Sequence, residues 1–310
     1  MFAETRRHES PTGASLAYHH VEADGAARGT LLICHGLVEH SMRYARFAES
    51  MAQRGYHVYA HDHRGHGDTL ASDAPLGRFA RHSGLERVID DVAAMQGVAA
   101  ANHSGLPAIL FGHSMGGLIG LNAAVTHPGL FKAVAVWNSN FHPGLSGRLA
   151  QVILAAERML KGSDVPSAIL SKLTFSAWAQ SIPNRRTEFD WLSRDAAEVD
   201  RYVADPLCGF DPSVSLWIDI FALTFRAPRR AALAKLPLNL PVHLVGGGMD
   251  PATDKGKAIV WLAKHLKRSG FSNITSQIYQ DMRHETLNET GAAVAIDDFA
   301  NWCDRVTARS

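Results

Sequence analysis

Apolar residues follow two rhythms that alternate along the chain. Short, mostly apolar runs lie at about 30–34, 57–60, 107–111, 132–137 and 242–245, with a more polar one at 274–279. Between them, longer stretches repeat their apolar positions every three to four residues, at 41–55, 85–102, 115–126, 257–268 and 292–306. An apolar run of that length reads as a strand covered on both faces, and the longer period as a helix with one apolar side. Strand–helix alternation therefore predicts an α/β fold: a mostly parallel sheet with helices on both faces. Ahead of it, "ETRRHESPTGASLAYHHVEA" reads as a hairpin around the Pro11-Thr12-Gly13 turn. Ser41 is the expected cap of the first helix and Gly55 its stop.

The rhythm fails from about 141 to 228. Here "LSGRLAQVILAAERMLK" and "SVSLWIDIFALTF" are amphipathic helices separated by proline-containing breaks, with no clear core strand. This predicts a helical cap at 141–229, inserted after the sixth strand into a core made of 1–140 and 230–310. Composition narrows the class. Apolar residues are 46% of 310 and charged residues 20%, enough for a sizeable core in a soluble protein. A net charge of +1 with dispersed basic residues gives no steering toward nucleic acid. No window of about eighteen apolar residues predicts a spanning helix. The start, "MFAETRRHESPTG", lacks the apolar centre of a secretory signal. Cys34, Cys208 and Cys303 have no CxxC spacing and fit a reducing compartment. The expected location is the cytoplasm.

In parallel sheets of this kind, ligands meet the loops at the carboxyl ends of the strands. The polar residues out of rhythm fall there: His35-Gly36, Asp62-His63, His113-Ser114, Asn138-Ser139, Met249-Asp250 and His284. "AILFGHSMGGLIG" (108–120) is the sharpest case, a core run broken by Gly-His-Ser-Met-Gly and resumed at once. Gly-x-Ser-x-Gly alone is weak evidence in a chain with 26 glycines. With a strand before it and a helix after it, it becomes a nucleophile elbow, with Ser114 on a strained turn. The helix from Met115 aims free N–H groups and its positive dipole end at the serine.

A serine hydroxyl needs a base, and the base an orienting acid, in the chain order Ser, acid, His. Of seventeen histidines, His284 alone follows the last strand in a loop able to swing back, in "IYQDMRHETLNE". The acid should close the preceding strand, where "PVHLVGGGMDPATDKG" offers Asp250. Asp254 competes but reads as a helix cap, and Asp281 lies too near His284 in sequence. A second backbone donor, beside Met115 N–H, is expected at Leu37 after the tight His35-Gly36 turn, with His35 structural. "HDHRGHG" (61–67) invites a metal reading, but no second ligand motif accompanies it, and it reads as a glycine-rich loop. No metal and no cofactor is expected.

Together "HGLVEHSMRY", "AHDHRGHG", "GHSMGG" and "YQDMRHETLNE" resemble, segment by segment and in order, the α/β-hydrolase superfamily, within it the monoacylglycerol lipase and lysophospholipase (serine aminopeptidase-like) group. The resemblance covers about 30–136 and 240–302; in the cap it is weak, mainly at "DPLCGF" (205–210). It implies a cofactor-free serine ester hydrolase acting on lysophospholipids, monoacylglycerols or similar small-molecule acyl esters, with Ser114, Asp250 and His284 as triad and Leu37 and Met115 as oxyanion donors. Peripheral membrane contact accords with a lipid substrate. The first loop lacks the "HGGPG" of proline iminopeptidases, and Ser114 stands where epoxide hydrolases carry aspartate. In the cap, Trp178, Trp191, Leu216, Trp217, Phe221 and Phe225 are candidates for an acyl wall. Alternatives are hydrolysis of small aromatic esters, amides or C–C bonds, and a catalytically silent binding protein.

Overall fold

A computed structural model describes Phe2 and residues 4–308. Strands β1 (Arg6–Glu9) and β2 (Ala14–Val21) form the antiparallel hairpin. There follow β3 (Gly29–Cys34), α1 (Ala45–Gln53), β4 (Tyr56–His61), a two-residue β5 (Leu70–Ala71), α2 (Gly84–Asn102), β6 (Ala108–His113), α3 (Met115–Thr126) and β7 (Ala133–Trp137). The sheet resumes with β8 (Val242–Gly247), α10 (Lys257–Arg268), β9 (Ile274–Tyr279) and α11 (Ala292–Thr307). Between β7 and β8 lie α4 (Gly144–Lys161), α5 (Ala168–Ser171), α6 (Ala177–Gln180), α7 (Ala196–Ala204), α8 (Val214–Arg226) and α9 (Arg230–Leu233).

One sheet runs β1-β2-β4-β3-β6-β7-β8-β9, with β5 paired to β2. From β4 to β9 every pairing is parallel, and β2 joins β4 antiparallel. The most apolar runs occupy its middle: every residue of β3, β6, β7 and β8 is buried. Because successive side chains point to opposite faces, the strands feed two cores. Leu32, Leu110, Val134 and Leu244 meet the α2 and α3 side, while Leu31, Ile33, Ile109 and Phe111 meet α1 and α11. Each such side chain, fully buried, contributes roughly 1.5–3 kcal/mol.

The helices between β7 and β8 are tied to the sheet layer through α8, which packs on α3 and α4. Buried Asn122 of α3 donates to the Leu223 carbonyl of α8 at 2.9 Å.

Two local expectations are corrected. Residues 41–55 are not one helix capped by Ser41: Ser41–Tyr44 is a 3-10 turn and α1 begins at Ala45. The Ser41 hydroxyl and amide instead donate to the Asp62 carboxylate, at 2.6 and 2.8 Å. A charged acceptor across the loop outcompetes the serine's own turn. The additional strand β5 also makes β7 seventh, not sixth, in chain order.

Candidate active site

The site is assembled at the carboxyl ends of the parallel strands, from loops that follow β3, β6, β7, β8 and β9. Ser114 sits between β6 and α3 with φ 54° and ψ −119°, a left-handed conformation costly for a side chain with a Cβ. The turn is tight enough to demand its glycines. A Cβ on Gly112 would lie 2.2 Å from the Gly116 carbonyl oxygen, and one on Gly116 would lie 2.0 Å from that of Cys34. Ser114 N–H donates to Trp137 O at 2.8 Å, and the Ser139 hydroxyl donates to Ser114 O at 2.7 Å, so neighbouring β7 pins the strained residue.

Ser114 Oγ lies 2.9 Å from His284 Nε2, and His284 Nδ1 lies 3.0 Å from Asp250 Oδ2. Asp250 is fully buried and saturated: Asn138 Nδ2 and the Thr253 hydroxyl donate to Oδ2 at 3.1 and 2.8 Å, and Ala252 N–H donates to Oδ1 at 2.9 Å. Burial pushes its carboxyl up, but the charge and hydrogen bond of His284, with those of Thr253 and Asn138, outweigh this and hold it below the ordinary range. Asp254, the competitor, borders the cavity but takes no part in this line. It is exposed at φ 50°, pairs with Lys257 at 3.1 Å and caps no helix with its side chain. Asp281 is exposed.

A second layer, which the sequence pattern did not single out, surrounds this line. Buried Glu39 accepts from Gly36 N–H at 2.5 Å, Tyr44 Oη at 2.7 Å and Arg43 Nε at 2.9 Å, fixing the loop that carries Leu37. His113 lies 3.5 Å from Glu39 and donates from Nε2 to the His284 carbonyl at 3.0 Å. Burial opposes protonation of His113, but Glu39 prevails and raises its pKa. Val38 has φ 53°, and its carbonyl accepts from Gly209 N–H at 2.9 Å and Tyr202 Oη at 3.0 Å. Thus "DPLCGF", obscure in sequence, clamps the Leu37 loop, aided by an Asp205–His40 contact of 2.8 Å. The glutamate three residues after the His35-Gly36 turn was the available signal.

His35 is structural: its Nδ1 lies 2.8 Å from Gly36 O, and its Nε2 accepts His63 N–H at 2.9 Å. His61, His63 and His66 are buried, and burial drives each far toward the neutral form. Donor atoms of His40, Asp205 and Cys208 lie within 4.8 Å of one another. His40 and Asp205 already pair, however, and burial pushes the Cys208 thiol up, away from the thiolate a metal needs.

Above Ser114 opens a cavity of about 620 Å³. Leu37, Met115 and His284 lie at its floor; Trp178, Trp191, Trp217 and Phe221 form part of its wall. Leu216 and Phe225 are corrections to the expected wall. Leu216 is turned into the core, and Phe225 stacks under the Arg148 guanidinium at 3.9 Å. In their place stand Leu149, Ile153, Leu170 and Phe175, from α4, α5 and the π-helical turn Lys172–Ser176.

A parallel sheet crossed by a strained serine elbow, with imidazole and carboxylate delivered from the next strand ends, defines an α/β hydrolase. Comparison with known proteins agrees. The family profile described as serine aminopeptidase, S33 (Hydrolase_4) matches residues 25–291. The monoacylglycerol lipase of Mycolicibacterium smegmatis is 30% identical over 97% of this chain and 98% of its own. The human monoglyceride lipase is 29% identical over 88% of this chain and 80% of its own. A carboxyl esterase from Bacillus coagulans superimposes with a TM-score of 0.88 at 20% identity, covering 98% of each chain, a likeness of fold. The chain belongs to the serine aminopeptidase, S33 family of α/β hydrolases and is a serine ester hydrolase. Among the described residues, no helix is long and apolar enough to cross a membrane.

Proposed function

We propose that the chain hydrolyses monoacylglycerols, lysophospholipids or acyl esters of similar size through an acyl-enzyme on Ser114. His284 Nε2, 2.9 Å from Ser114 Oγ, takes the hydroxyl proton as the oxygen attacks the ester carbonyl. Asp250 keeps the proton on Nδ1, so that the Nε2 lone pair faces the serine, and stabilises the imidazolium that forms. The N–H groups of Leu37 and Met115 receive the oxyanion, Met115 from the positive end of α3. His284 then protonates the leaving alcohol. Water, deprotonated by the same imidazole, attacks the acyl-enzyme and frees the acid and Ser114. The cycle calls on no cofactor or metal.

The observation that carries this reading is the hydrogen-bonded line Ser114–His284–Asp250 at the floor of an apolar cavity. Residues 141–229 act as a cap over a core of 1–140 and 230–310, their tryptophans enclosing the acyl chain. One face of α4 supports a lipid substrate as well: Leu145, Met159 and Leu160 are 89%, 88% and 83% exposed, with Leu149 and Val152 beside them. Such an apolar stripe fits transient contact with a lipid surface by a protein of the cytoplasm. The test is hydrolysis of monoacylglycerols, lysophospholipids and nitrophenyl esters of rising acyl length, with Ser114→Ala as control. Turnover should rise with chain length. Preference for short aromatic esters would replace the lipid reading with that of a small-ester hydrolase.

A further inference from the structure

At the opposite end of the sheet, the β2–β4 register gathers three imidazoles and a carboxylate. His20 pairs with Tyr59 and Val21 with Val58, so the alternation puts His20, Glu22 and His57 on one face. Helix α2 ends over that face, with His103 as its C-cap residue. Glu22 Oε2 lies 2.6 Å from His57 Nδ1 and 4.0 Å from His103 Nε2, and Glu22 Oε1 lies 3.7 Å from His20 Nδ1. One donor atom from each of the four lies within 4.8 Å of all the others. The three imidazoles are largely buried, whereas the Glu22 side chain is 65% exposed and leaves a path from solvent. Nε2 of His103, the nitrogen that faces Glu22, is buried without a hydrogen-bond partner, an expensive state for a polar atom; in His20 the nitrogen facing the carboxylate is Nδ1 and the orphaned one is Nε2.

We propose that His20, Glu22, His57 and His103 bind a divalent transition-metal ion of the zinc class. Three imidazole nitrogens and one carboxylate oxygen are a donor set suited to Zn²⁺, Co²⁺ or Ni²⁺ and poorly suited to Mg²⁺ or Ca²⁺. Tetrahedral zinc donors stand about 3.3 Å apart, given metal–ligand distances of about 2.0–2.1 Å. The contacts here straddle that value; closure needs side-chain rotation and, for ligation through His57 Nδ1, release of the Ala23 N–H that this atom accepts at 3.2 Å. The rings of His57 and His103, now stacked 3.6 Å apart at 13°, must tilt so that both planes contain the metal. The ion would tie β2, β4 and the end of α2 together, at the end of the sheet away from Ser114, and so act on stability.

The test uses the full chain after chelator treatment, titrated calorimetrically with ZnCl₂, CoCl₂ and MgCl₂. The site predicts one Zn²⁺ per chain, a raised Tm, a tetrahedral Co²⁺ visible band and no response to Mg²⁺. Glu22→Gln, at an exposed side chain that can be changed without disturbing the fold, and His103→Gln should each weaken Zn²⁺ binding by about tenfold or more. Absence of stoichiometric binding, or unchanged affinity in either variant, would overturn the four-residue site.

Discussion

Imidazoles gather at both ends of this sheet, and the two gatherings are built differently. At the carboxyl end, the reacting line and its supports are fixed: His35 and His284 have a partner on each nitrogen and His113 is held between Glu39 and the His284 carbonyl, while His61, His63 and His66 behind them keep buried nitrogens without one. At the amino end, His20 and His103 each keep a buried nitrogen without a partner. A histidine's role is set by what its second nitrogen meets. Where that nitrogen is fixed, the first is aimed with one tautomer at one atom. Where it is free, the cluster holds unspent lone pairs.

Removing the aimed group should have the largest effect. Ser114→Ala or His284→Ala should lower kcat by roughly a millionfold in a steady-state ester assay. Asp250→Asn should lose about ten-thousandfold, because the amide favours the wrong tautomer. Asp254→Asn should stay near wild type, and a crippled Asp254→Asn would move the acid off β8's first turn.

How much of this the sequence carried depended on whether a requirement was local. The elbow was legible because Gly112 and Gly116 answer collisions within a few residues of Ser114. The central strands β3, β6, β7 and β8 were legible because both faces are buried. Asp250 stood out by closing its strand. The Glu39–His113 link and the Tyr202 and Gly209 bonds to Val38 join residues far apart in sequence, and no spacing records them. Ser41 misled because the acceptor it meets, Asp62, comes from the next strand's end. The amino-end cluster was equally hidden. His20 and Glu22 share a face by alternation, but only the register brings His57 opposite and the length of α2 brings His103 over them.

A partly buried carboxyl outside both gatherings sharpens the contrast. Burial and the charge of Glu86 push the Asp219 carboxyl up to about 7, against a Leu85 N–H bond that lowers it. The folded state therefore holds this proton more tightly than the unfolded chain. Stability falls as pH rises from about 4 to about 7, and the cost is fully present above that. Asp219→Asn should raise thermal stability at about pH 8 by up to a few kcal/mol and leave it little changed near pH 4. An equal gain at both pH values would assign the effect to packing. The smallest effect is expected at the Leu37 loop. Tyr202→Phe removes one hydrogen bond to Val38, and should cost about 1 kcal/mol in denaturant unfolding together with a modest loss of kcat.

The central claim is that Ser114 is the one serine activated by an imidazole. Reaction with a fluorophosphonate, followed by proteolysis and mass spectrometry, tests it most directly. The account predicts a single adduct, on Ser114, whose formation slows sharply in His284→Ala. An adduct on another serine, or labelling that persists in Ser114→Ala, would contradict it.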